Sequence, residues 1–359
     1  MNKIIEETNI AILTSIAFLL SACHQENELE ADMPITSHSE IGFSTNVKST
    51  RIVNGNDLVD ESEFKKVGKF HVFSNYEYKD AGVSKSIPEF QNQLVTYDPS
   101  TSSWTYSPKK FWRGTGVYHF RSYFPENADV VRSSSGRNLA INYSIYAHDF
   151  DLMVAYRHRD VDQENASRKP TTKVNLCFQH ALAGIRFKIE ALPEDKNRYS
   201  LRRLYARNLY TVGLLAYTLN ADSDSPDFYD DQGNSRLFDN WKVSYFDSYN
   251  QLYPYVGKNE DYVDKAKSFV SPTVLVIPQK VASGSEGQSK ICFLLEVKHS
   301  LEEQGELVLT EKEIPPTTWY PGKIYTYLFK VKPDLTLDIQ VQVSPWQELQ
   351  GGSDNIIIE

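Results

Sequence analysis

Three cysteines, eight histidines and a cluster of aspartates are the residues of this chain whose chemistry could be put to use. Cys23 is the most sharply placed. It follows an apolar run from Ala11 to Leu20 and the small residues Ser21 and Ala22. Such a run is too short to span a bilayer as a finished helix, and small residues after it are typical of a signal-peptide cleavage site. Leu20-Ser21-Ala22-Cys23 is also the pattern in which a bacterial thiol is acylated and its Cys becomes the mature N-terminus. Residues 1–22 therefore read as a signal peptide and Cys23 as a lipid-bearing residue. Lys3 is the only base before the apolar run, and Glu6 and Glu7 offset it, which departs from the usual signal. The alternative is an ordinary secretory signal with an incidental Cys.

The other reactive types carry no catalytic spacing. The histidines stand at 24, 38, 71, 119, 148, 158, 180 and 299, with no H-E-x-x-H and no Cys–His ligand spacing. His180 follows an apolar run and reads as a core histidine held by a hydrogen bond rather than as a metal ligand. Asp222, Asp224, Asp227, Asp230 and Asp231 offer oxygen ligands for calcium, but without the spacing of a calcium loop. No G-x-S-x-G elbow exposes a serine, and no pair of carboxylates is singled out for glycoside chemistry. Cys177 and Cys292 fall in different predicted domains, which argues against a bridge between them. No metal, no cofactor and no enzymatic activity are expected.

The elements that position these residues follow from composition. With 38 basic against 47 acidic side chains the net charge is −9, which gives no means of neutralising a run of phosphates, so no nucleic-acid partner is expected. The 40% hydrophobic and 24% charged fractions are those of a globular chain. Tyr (22), Phe (18) and Trp (5) far outnumber Met (3), and short alternating runs are bounded by turn residues throughout. This is the pattern of an all-β protein. The length divides into two tandem β-sandwiches, residues 40–192 and 193–359, behind an acidic tether at 23–39.

Order begins where Ile41, Phe43 and Val47 share one face at period two. Residues 48–63 are polar and read as loop. A change of apolar parity between Val174, Leu176, Phe178 and the run after Ala183 places a bulge at Gly184. Residues 260–267 read as one or two helical turns, and 222–240 as an insertion. Trp112, Tyr118, Phe120, Tyr123, Phe124, Trp319, Tyr320 and Trp346 read as core; Tyr249, Tyr253, Tyr255 and Tyr262, in an irregular stretch, as exposed.

Several of these pieces, taken in order, resemble the fimbrillins, lipoprotein subunits of type V pili. They are Leu20-Ser21-Ala22-Cys23, Ser49-Thr50-Arg51, Phe111-Trp112, and Tyr118 through Pro125. Then come Asp151 through Ala155, Phe178 through Ala183, Leu275 through Gln279, Trp319 through Tyr325, and Val343 through Trp346. The resemblance implies two transthyretin-like sandwiches, lipidation of Cys23 with palmitate, and export to the outer-membrane surface. It implies that an Arg-specific protease cuts at the position Arg51 matches. Cutting there would strip Ile41, Phe43 and Val47 from their sheet and leave an apolar groove for another subunit's strand. If Arg51 is instead an ordinary loop residue, the protein stays on its lipid as an adhesin or anchor.

The expected function is thus a structural or adhesive subunit of a surface fimbria. Its partners would be other fimbrial subunits, the outer membrane through the lipid anchor, and a host or bacterial surface receptor. The alternative is a surface glycan-binding lipoprotein for nutrient uptake. At the C-terminus, Ile356, Ile357 and Ile358 form a strand-like end behind a Gly-rich hinge at 350–354. Either residues 336–343 peel away and join this tail as a donor strand, or the tail closes its own sheet. The second sacrifices no packed strand and is favoured, which points to a tip or accessory place.

Overall fold

The aromatic and β-branched runs fold as strands almost throughout. The computed structural model describes residues 39–47, 61–132, 138–148, 150–161, 173–218, 236–247, 252–256, 262–281, 289–298, 305–345 and 356–358. The chain opens with β1 (Gly42–Val47), the helix α1 (Glu61–Val67), β2 (Lys69–Asp80), β3 (Val83–Asp98) and β4 (Ser103–Thr105). β5 (Gly116–Phe124), β6 (Asp129–Arg132), β7 (Asn138–Ser144), β8 (Met153–Val161) and β9 (Lys173–His180) follow. Next come β10 (Ala183–Ala191), β11 (Arg198–Arg207), β12 (Leu209–Thr218), a 3-10 turn at Arg236–Asn240, and β13 (Trp241–Asp247). The short strands β14 (Leu252–Val256), β15 (Tyr262–Val263), β16 (Phe269–Val270), β17 (Val274–Val276) and β18 (Gln279–Val281) lead to β19 (Lys290–Lys298). β20 (Glu306–Glu313), β21 (Thr317–Trp319), β22 (Lys323–Val331), β23 (Leu337–Pro345) and β24 (Ile356–Ile358) complete the described elements.

A seven-stranded sheet has the order β1-β9-β8-β5-β2-β3-β4. On one face it buries Phe70, Val72, Phe90, Tyr118 and Phe120 in an aromatic core. Its other face offers Tyr123, Val154 and Tyr156 to a second core that also holds Ile141, Leu215 and Trp241. The last three come from the four-stranded sheet β13-β12-β7-β6. Alternation along β5 and β8 is what feeds two cores at once. A third core lies between β10, β22 and β23 on one side and β11, β19 and β20 on the other, with Phe187, Tyr327 and Phe329 meeting Leu201, Leu204 and Phe293.

Strands cross the midpoint of the chain. β7 pairs antiparallel with β12, from Val212 opposite Ser144 to Thr218 opposite Asn138. β10, which ends just before residue 192, pairs parallel with β22 from Gly184 opposite Ile324 to Ala191 opposite Val331.

Buried polar joints lock the strand ends. His180 Nδ1 lies 2.7 Å from Asp151 Oδ2, both side chains buried, so the hydrogen bond expected of this histidine is present. Trp241 Nε1 donates to the Ala181 carbonyl at 2.8 Å, and Trp319 Nε1 to the Tyr327 hydroxyl at 2.8 Å. Gln279 accepts from the Tyr210 N–H and donates back to the Tyr210 carbonyl, capping both groups with one side chain. Gly322 has φ +71, a conformation that favours glycine, and donates its N–H to the Leu182 carbonyl at 2.8 Å.

Four local expectations are corrected. Gly184 is no bulge: its pairing with Leu275 and Ile324 is in continuous register, and the parity changes because β9 and β10 belong to different sheets. Residues 262–267 are not helical. Tyr262 and Val263 pair with β11, and the Asp264 carboxylate accepts from the N–H groups of Ala266 and Lys267 in a tight turn. The polar stretch 48–63 does not run wholly as loop, because Glu61 starts α1, which buries Phe64. Nor is the tyrosine-rich stretch irregular, since Tyr253 and Tyr255 lie on β14 and Tyr262 on β15. The Tyr262 ring lies under Arg198 at 3.3 Å and Lys267 at 4.0 Å. Tyr249, Trp346 and the aspartates at 222–231 lie outside the described residues.

Candidate functional site

The alternation Ile41-x-Phe43 dictates a half-buried strand, and the structure seats it as a seam. β1 pairs with β9 in parallel, Phe43 opposite Val174, Thr45 opposite Leu176 and Val47 opposite Phe178. Ile41, Phe43 and Val47 are all buried. Phe43 fills the middle of the aromatic core, its ring centroid 5.5 Å from Phe90, 5.6 Å from Tyr106 and 6.0 Å from both Phe70 and Phe120. These are edge-to-face contacts, the arrangement that ring quadrupoles prefer.

The other side of β1 is held by the far end of the same sheet. Trp104, on the opposite edge strand β4, donates its indole N–H to Thr45 Oγ1 at 3.0 Å. The Tyr106 hydroxyl donates to the Ile41 carbonyl at 2.6 Å. Backbone bonds continue the clasp, from Ile41 N to the Lys110 carbonyl and from Trp112 N to the Ser39 carbonyl, both at 2.9 Å. Lys109 and Glu40 close the rim as an ion pair at 2.6 Å, about half exposed. The seven-stranded sheet thus curls until its two edges meet through β1. Take β1 away and β9 loses its outer partner, while three apolar side chains leave the core. Each such side chain contributes about 1.5–3 kcal/mol through burial, so the empty groove demands a replacement strand.

Beyond the seam the chain re-enters the same core through α1. Phe64 is fully buried, with ring centroids 4.7 Å from Phe178, 5.1 Å from Phe124 and 5.5 Å from Trp104. A cut between β1 and α1 would therefore separate two independently anchored segments. Arg51 falls in that interval, and both it and Cys23 lie outside the described residues.

Ile356, Ile357 and Ile358 stand elsewhere. They form β24 at the edge of the six-stranded sheet, opposite Val343, Gln342 and Val341 of β23. The structure does not bring them to the β1 groove. Sequence reasoning missed the clasp, because Trp104 and Tyr106 meet residues 59 and 65 positions away, which no local pattern announces.

A sequence profile described as Fimbrillin-like matches residues 50–346. The chain belongs to the fimbrillin-like family. The matched span begins at residue 50, so β1 precedes it. The fold of this fimbrillin-like chain is similar to that of a fimbrial protein from Bacteroides vulgatus, with a TM-score of 0.58 and 16% identity over 86% of this chain and 99% of that one. Candidate cell adhesion proteins from Bacteroides uniformis and Bacteroides ovatus align at TM-scores of 0.47 and identities of 13% and 14%. Those alignments cover 86% and 89% of this chain, and 98% and 100% of theirs. No curated sequence matches the fimbrillin-like chain.

Proposed function

We propose that this chain is a structural and adhesive subunit of a cell-surface fimbria that assembles by strand exchange at the β1 seam. One observation carries the reading. A single strand closes an aromatic core between two sheet edges, and Arg51 falls in the interval before the chain is anchored again by Phe64. Family membership speaks for a fimbrial subunit rather than an enzyme.

In this reading Cys23 carries lipid and tethers the precursor at the outer membrane. An Arg-specific protease cuts after Arg51, β1 leaves, and a strand of a neighbouring subunit takes its place by β-augmentation. The tail at 356–358 closes its own sheet, which suits a tip or accessory place, and the pairing of β24 with β23 supports this. The tandem sandwiches, 40–192 and 193–359, belong to the same proposal, with β7 pairing β12 and β10 pairing β22 across the boundary between them. Electron microscopy of purified fibres with an antibody to this chain tests the function. Labelled fibres are expected; label on the cell surface without fibres would contradict it.

A further inference from the structure

We infer that Trp104 selects which strand the groove accepts, by requiring a side-chain hydrogen-bond acceptor where Thr45 now sits. The inference rests on the strand-exchange reading and adds the chemistry of the partner. An indole N–H can only donate, and here it cannot turn away. Its ring is held by Phe70, Tyr97 and Phe64 at centroid distances of 4.9, 5.1 and 5.5 Å, and the residue is 8% exposed. A strand without an acceptor at that position would leave the N–H buried and unpaired, which costs the desolvation of the donor.

The other contacts of the seam do not discriminate in this way. Tyr106 binds the Ile41 carbonyl, a group that any incoming residue supplies. The Glu40–Lys109 pair is solvated and weak. The pockets of Ile41, Phe43 and Val47 ask only for apolar volume. The partner is therefore an extended segment of another subunit, with a large apolar residue, then Ser or Thr two residues on, then a β-branched residue two further. This chain's own last long strand does not fit. Placing Ile339 in the Phe43 pocket and Val343 in that of Val47 sets Val341 against the indole.

The test uses the full chain, folded and then cut at a protease site engineered within residues 48–60, so that β1 remains bound without a covalent link. Displacement of a labelled peptide of residues 39–47 is measured with unlabelled competitors. The native peptide and its Thr45→Ser version should compete within about twofold of each other, and the Thr45→Val version about tenfold more weakly, the ratio expected for one unpaired buried donor. A peptide of residues 337–343 should compete as weakly as Thr45→Val. In the Trp104→Phe protein the preference for Thr over Val should vanish. Equal competition by native and Thr45→Val peptides on the wild-type protein would overturn the selection by Trp104 while leaving strand exchange intact. Failure of every peptide, the native one included, to displace the bound strand would overturn strand exchange and this inference together.

Discussion

The hydroxyl of Tyr106 donates to the carbonyl oxygen of Ile41 at 2.6 Å, tying together residues 65 positions apart in the chain. Burial, the largest influence, pushes the Tyr106 hydroxyl well above its ordinary value, so it stays protonated and remains a donor. The bond lies where the two edges of the seven-stranded sheet converge, and it makes β1 a seam rather than an ordinary edge strand. An edge strand can fray at little cost; a seam strand must break contacts on both sides at once.

Removing that hydroxyl isolates its contribution. Tyr106→Phe keeps the ring against Phe43 and Phe90 but strips the Ile41 carbonyl of its buried donor, and should lower stability by about 1–3 kcal/mol. Lys109→Ala, which breaks the solvated ion pair with Glu40, should cost no more than about 1 kcal/mol. Urea denaturation of the precursor, followed by tryptophan fluorescence, orders the two. A larger loss for Lys109→Ala would show that the rim, not the buried clasp, holds β1.

Processing is checked on the same chain in cells. Cys23→Ser should abolish fatty-acid labelling and partition into detergent. In the wild type, fibre-associated protein should begin at Ile52; Arg51→Ala should leave a folded precursor, and no chain beginning at Ile52 should appear in its mass spectra. Fibre-associated wild-type protein that begins at Cys23 would remove cleavage from the assembly route.

The tail supplies an independent test of position in the fibre. Deleting residues 354–359 removes β24 and exposes the outer edge of β23. If the tail closes its own sheet, melting temperature drops while incorporation into fibres persists among the folded molecules. Unchanged stability with complete loss of polymer would instead make the tail a donor.

The two described cysteines should behave differently towards thiol reagents. Neither is in a disulfide, Cys177 is half-buried and Cys292 is buried. Burial, and after it the Glu311 carboxylate, pushes the Cys292 thiol up to about 11. In a Cys23→Ser background, maleimide at neutral pH should modify Cys177 within minutes and Cys292 only on unfolding. Because the folded thiol holds its proton more tightly than an unfolded one, its contribution is complete below 9.0 and is lost as pH rises towards about 11. Rapid labelling of native Cys292 at neutral pH would contradict this.

Local pattern carried the reading of the fold where alternation was clean, and failed where long-range pairing decided. Ile41, Phe43 and Val47 announced a buried face, and that face is buried. The all-β class followed from composition. By contrast, the 16-residue β3 carries Pro88 and register shifts against β2, so its alternation is broken and no strand was legible there. Gly184 looked like a bulge because sequence cannot show that two neighbouring strands enter different sheets. The helix α1 starts inside the polar run 48–63 and, among its described residues, buries only Phe64, just after that run, so packing in the core rather than periodicity secures it. The clasp was the least legible part. Trp104 and Tyr106 carry the residue types for it, but only the curl of the sheet brings them to β1.

The central claim, that β1 must leave for the subunit to polymerise, is tested most directly by fastening it down. Asn46 stands opposite Cys177 in the parallel pairing of β1 with β9, at the strand spacing of about 4.8 Å that a disulfide can bridge. Asn46→Cys, oxidised so that positions 46 and 177 are joined and verified by mass spectrometry, should fold and still be cut after Arg51. It should fail to enter fibres until a reductant is added, whereupon assembly returns to the wild-type level. Polymerisation of the oxidised, joined protein at the wild-type rate would contradict the account.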